Sequence, residues 1–161
     1  MKKKKLLLSS ILIIFFLSPG FADTTTSLRD ELPDLKRLSD YTIGEKRVLK
    51  AIKYEAKRKY KKSQRLYSEA LEYFLLANEQ NPANSNIYFY LGFTSEKLKK
   101  SIDAEIYYIL ALDVDPGNNM VNKYLGILYF ESNRFKESKK VLKILENCKC
   151  DEYNDLKEIV K

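Results

Sequence analysis

Two cysteines, Cys148 and Cys150, have the widest chemical repertoire in this 161-residue chain. A thiol pair can close a disulfide, exchange electrons or hold a soft metal. One residue separates them. On a helix such neighbours point apart, and a bond between them would be strained. Three readings stand: half-buried packing residues, a strained or intermolecular disulfide, or a redox or metal-handling thiol site. The metal reading is the poorest, because the chain has no histidine and no further cysteine to complete a ligand set. The missing histidine also removes the commonest general base, so no Ser–His or Cys–His nucleophile can form. There is no glycine-rich phosphate loop. Asp103 with Glu105, and Asp113 with Asp115, read as ordinary helix-surface carboxylates. Neither enzymatic activity nor a cofactor is expected.

The second chemical feature is charge. Ten basic residues stand between Lys46 and Arg65, among them Lys50, Lys53, Lys57 and Lys61. Such a concentration suits anionic lipid headgroups or an acidic partner. The plainer reading is a solvated helix face, partly balanced by acids between Asp23 and Asp40. The whole chain is +7, from 29 basic and 22 acidic residues. Four of those bases, Lys2 to Lys5, open the chain ahead of an apolar run from Leu6 to Leu17. Ser18-Pro19-Gly20 ends the run, and Gly20-Phe21-Ala22 supplies small residues. This is a secretory signal pattern over residues 1–22, with cleavage expected after Ala22. The run falls short of the roughly 20 residues that cross a bilayer. An uncleaved inner-membrane anchor is the alternative. Without this segment the balance is 25 against 22, or +3. That is too mild to argue for nucleic acid. The expected location is a bacterial periplasm.

The elements that must carry these groups are helices. Leu91-Gly92 recurs as Leu125-Gly126, and Ala70, Phe74, Ala77 and Pro82 stand 34 residues ahead of Ala104, Tyr108, Ala111 and Pro116. A fixed period of this length signals stacked helix–turn–helix units. Helices are expected over 66–81, 86–99, 102–115, 120–132 and 135–147, with a closing helix over 151–161. Val48, Ile52, Ala56 and Tyr60, spaced by four, make a further apolar stripe. Residues 23–45, with Thr24 to Thr26, Pro33 and Gly44, read as a flexible polar lead-in holding one short helix.

Over about Val48 to Cys150 the chain resembles the tetratricopeptide repeat family. The unit at 85–118 matches through Tyr88, Leu91, Gly92, Ala104, Tyr108, Ala111 and Pro116, and departs at Ser95. The unit at 119–152 matches through Leu125, Gly126 and Tyr129, and departs at Ser138, Leu142, Leu145 and Cys150. The unit at 51–84 matches in its second helix only. It has Lys57, Arg58 and Lys61 where Leu, Gly and an aromatic belong, which allows for an insertion of one or two residues. The resemblance implies an all-α solenoid of three antiparallel helix pairs plus a C-terminal closing helix.

It also implies a groove lined by the first helix of each pair. Asn86, Phe89, Phe93 and Glu96 would line it, then Met120, Lys123, Ile127 and Phe130, with Ile52, Glu55, Lys59 and Lys62 in the first unit. Such a groove would take a protein or peptide segment with apolar anchors and some acidic residues. Alternatively, the N-terminal tail or the closing helix covers it. The Lys and Asn with which some relatives clamp a C-terminal carboxylate are absent; Glu55 and Lys59, or Phe89 and Phe93, stand there. The expected role is a non-catalytic adaptor of the cell envelope. The alternatives are a redox or metal-handling accessory using the cysteines and a membrane-surface tether using the basic helix. Pairing of two copies through exposed terminal faces stays open.

Overall fold

Seven helices follow one another in the computed structural model, which describes residues 33–161. The signal segment and the part of the lead-in before Pro33 lie outside the described residues. The helices are α1 (Pro33–Ala56), α2 (Tyr60–Gln80), α3 (Ser85–Lys97), α4 (Ser101–Val114), α5 (Asn119–Glu131), α6 (Phe135–Leu145) and α7 (Asp151–Val160). Consecutive helices pack in pairs, α1 on α2, α3 on α4 and α5 on α6. The pairs stack through α2 on α3 and α4 on α5, and α7 closes the stack against α5 and α6. This is the all-α solenoid of three pairs plus a closing helix that the repeat pattern implies.

The boundaries have local causes. Pro82 and Pro116 cannot continue a helix, and an asparagine follows each to start the next one. Asn84 Oδ1 accepts from the amides of Asn86 and Ile87. Asn118 Oδ1 accepts from the amide of Val121. Inside the pairs one turn recurs three times. Arg58, Lys99 and Asn133 take left-handed φ values of 54°, 63° and 60°. The following amides close the same loop: Lys59 N to Tyr54 O, Lys100 N to Ser95 O and Arg134 N to Tyr129 O, at 2.8, 2.9 and 2.8 Å.

Close helix approach explains the glycines. A Cβ on Gly92 would lie 2.6 Å from the Tyr108 ring, and one on Gly44 would lie 2.8 Å from the Phe74 ring. Gly44 is therefore not a loop residue. It is the first pair's counterpart of Gly92, and Ile43-Gly44 stands where Leu91-Gly92 stands. This corrects the lead-in reading for residues 33–45, the unit boundary near Ala51 and the small insertion. Twelve residues separate Gly44 from the helix end at Ala56, against five from Gly92 to Lys97. Fourteen separate Tyr60 from Phe74, against seven from Ser101 to Tyr108. Between these landmarks and the turn, each helix of the first pair thus has seven more residues, and the matching turn shifts with it.

Seven residues are nearly two full helical turns, so the lengthened helices keep the same faces in contact. The small–aromatic–small signature accordingly occurs twice along α2, as Ser63-Tyr67-Ala70 and as Ala70-Phe74-Ala77, all buried. On α1, among the residues from Asp40 onward, the buried ones are Gly44, Val48 and Ala51. Ile52 is 41% exposed, so the stripe of Val48, Ile52, Ala56 and Tyr60 is not the packing face.

One core runs from Val48 to Leu128 through Tyr67, Phe74, Leu91 and Tyr108. A smaller one under α7 joins Val141, Leu145, Leu156 and Val160. The departures in the third unit fit this. Ser138, standing where Ala104 stands, is fully buried and donates to Gly126 O at 2.8 Å.

Candidate interaction surface

The first helices α1, α3 and α5 present the residues expected to line the groove, and the structure sorts them into three groups. Phe89 and Phe93 are core, 9% and 6% exposed. Phe93 meets the Tyr67 ring edge-on from one pair and Tyr124 from the next, and Phe89 meets Tyr90, Tyr108 and Tyr124. These rings are inter-repeat mortar, not free anchors. Helical position gave their direction, but two of the tyrosines that cover them, Tyr67 and Tyr124, come from neighbouring units.

The second group is held by the closing helix. Ile127 and Phe130 pack against the cluster under α7, and Lys123 Nζ pairs with Asp155 of α7 at 3.0 Å. The closing helix therefore covers Lys123, Ile127 and Phe130 of the third unit's share of the groove. In the first unit, Lys97 pairs with Glu55 at 3.3 Å. The third group stays accessible: Asn86 is exposed, Met120 is 45% exposed, and Glu96 is half-buried.

Sequence reasoning missed a polar row between these helices. Tyr67 donates its phenol to Glu55 at 2.7 Å, Tyr108 to Glu96 at 2.9 Å and Tyr90 to Glu45 at 3.1 Å. The first two pairs share a separation of 12 residues, the available signal for them. In the third unit the matching positions hold Phe130 and Leu142, and the polar pair gives way to an apolar one beneath α7. Burial is the main cause that raises all three phenols, Tyr90 to about 12, with the partner carboxylates next. They stay protonated donors and cannot serve as bases at neutral pH. Burial also raises Glu96, against the opposing hydrogen bond from Tyr108.

The basic residues gather at the lengthened hairpin. Lys50, Lys61, Lys62 and Arg65 line a cleft of about 590 Å³ floored by Tyr54 and Leu66. Lys53 and Lys57 are exposed beside it. Cys148 and Cys150 are joined by a disulfide with Cα atoms 5.2 Å apart. The two are not helical neighbours, because α6 ends at Leu145. Lys149, between the cysteines, takes a left-handed φ of 51°. No cluster of metal-ligating side chains occurs among the described residues.

An array of antiparallel helix pairs with glycine–aromatic close contacts and a capping helix has the fold of tetratricopeptide-repeat solenoids. Solved structures carry the same fold. The first TPR domain of Spaghetti (RPAP3), bound to an HSP90 peptide, aligns with a TM-score of 0.53 at 22% identity, over 74% of this chain and 91% of that one. The Arabidopsis OM64 TPR domain aligns at 0.51 and 16% identity, over 75% and 96%. A chain of the CopN–Scc3 complex aligns at 0.51 and 20% identity, over 73% and 66%. No protein-family model and no curated protein sequence matches the chain.

Proposed function

We propose that this protein is a non-catalytic adaptor of the cell envelope, exported by its N-terminal segment, that binds a segment of another protein on the layer formed by α1, α3 and α5. The observation that carries this reading is the repeat solenoid itself, with Asn86 and Met120 left accessible on its first-helix layer. The Spaghetti domain, of the same fold, holds a peptide, and the CopN–Scc3 structure is itself a complex. The Lys–Asn carboxylate clamp is absent in the corrected register too, where Tyr41 and Glu45 stand at its positions. The partner segment therefore docks through its side chains, not through a terminal carboxylate.

The test separates binding from folding. Asn86→Arg with Met120→Arg places bulk and charge on the accessible layer without entering the core. In-cell crosslinking of tagged protein should recover a partner that this double variant loses while its helical signal is unchanged. Equal recovery by both proteins would exclude this layer as the binding surface. Phe89→Ala with Phe93→Ala is the wrong probe, since it removes core rings.

A further inference from the structure

We infer that the lengthened α1–α2 hairpin is an electrostatic docking arm for an anionic lipid surface, engaged end-on through its turn. Charge on this chain is sharply divided. Residues 46–65 hold ten cations and one anion, Glu55, a net +9. The rest of residues 23–161 holds 15 cations and 21 anions, a net −6. A body of that sign is repelled by the surface that attracts the arm, so the division fixes orientation as well as attraction.

The arm is also separated in space. Gln64 Nε2 donates to Lys97 O at 2.8 Å, and Lys97 reaches Glu55, so α3 ends beside residues 55 and 64. The stretch from Ala56 to Lys62 stands beyond that point, and every residue in it is exposed. It contains Lys57, Arg58, Lys59, Lys61 and Lys62, with Tyr60 at 60% exposure among them. A tyrosine set among cations suits the headgroup layer, where its ring is half-solvated and its hydroxyl meets water or phosphate.

An acidic peptide fits the same charge less well. Lying in the cleft, it would meet Lys50, Lys61, Lys62 and Arg65. Lys57, Arg58 and Lys59 at the turn would be left without counter-charge. A broad anionic surface approached end-on engages the turn and lets the cleft seat one phosphate-bearing headgroup over Tyr54. Lys62 Nζ already lies 5.7 Å from that ring's centroid.

The experiment is vesicle flotation of the full chain, with phosphatidylcholine vesicles containing phosphatidylglycerol compared with phosphatidylcholine alone. Lys57→Gln, Lys59→Gln and Lys61→Gln together remove three exposed cations of the arm. Lys139→Gln, Lys140→Gln and Lys143→Gln remove three exposed cations from α6. Each surface cation contributes about fivefold, so the arm variant should bind the anionic vesicles about a hundredfold more weakly. The α6 variant should stay within a few fold of the parent, and binding should fall with added salt. Three results would overturn the inference. Equal losses in the two variants would make net charge the cause. Equal flotation with neutral vesicles, insensitive to the arm variant, would assign membrane affinity to the apolar N-terminus. Soluble polyglutamate bound through the arm, with no vesicle of either kind captured, would make the arm a peptide site.

Discussion

The first and second helix pairs are built to the same plan at different lengths. Gly44 lies under Phe74 as Gly92 lies under Tyr108, and Arg58 turns the chain as Lys99 does. Between those landmarks the first pair has seven more residues in each helix. A helix can lengthen inside a packed stack only by a number of residues that returns its buried face to the same side, and only if its partner lengthens equally. The comparison also separates two uses of one fold. The second pair is spent on packing, with both helices flanked by neighbours. The first pair packs at its base and carries its charge beyond the end of the other described helices.

The sharpest way to break this equivalence is to remove the paired rings. Phe74→Ala and Tyr108→Ala should each cost about 4 kcal/mol in denaturant unfolding. If Phe74→Ala costs little, the first pair is not packed like the second.

The glycines give the next effect. Alanine in an open helical site gains about 1 kcal/mol over glycine. Gly44→Ala and Gly92→Ala should instead destabilise by roughly 1–3 kcal/mol, because the added methyl meets a buried ring. A stabilised Gly44→Ala would return that residue to a lead-in.

Smaller still is a pH effect at the Tyr108–Glu96 pair. Burial raises Glu96 in the folded state, so the native protein holds its proton to higher pH than the unfolded chain does. The stability this contributes is fully present below the ordinary carboxylate range and is lost as pH rises through the raised value. Denaturant midpoints measured against pH should show that decline in the parent and a flatter profile in Glu96→Gln. Matching profiles would mean that burial of Glu96 does not favour its protonated form. The least effect belongs to Cys148–Cys150, whose closed loop is very short. Reduction should cost about 1.5 kcal/mol and act on the docking of α7. A larger, global loss would make the bridge a determinant of the whole stack.

The second and third units were legible in the sequence because a fixed period and the Leu-Gly pair marked them, and Pro82 and Pro116 marked their starts. The first was misread because fourteen additional residues move its glycine out of the 34-residue register. A lone Gly44 in polar sequence then reads as a break. The doubled signature of Ser63, Tyr67, Ala70, Phe74 and Ala77 was the readable trace of the lengthening. The groove was less legible. Helical spacing tells which way Phe89 and Phe93 point, but their coverage depends on Tyr67 and Tyr124 from other units, and that of Ile127 and Phe130 on α7. The cysteines were judged as helical neighbours, whereas the helix stops before them.

The paired lengthening makes the first hairpin a ruler graduated in heptads. Each seven-residue step in both helices advances the turn by about 10 Å without rotating what lies at its base. Reach can therefore change between related chains while the repeat body stays constant. Insertions or deletions in this arm should come in matched pairs of seven, with Gly44 and Phe74 as the fixed zero of the scale.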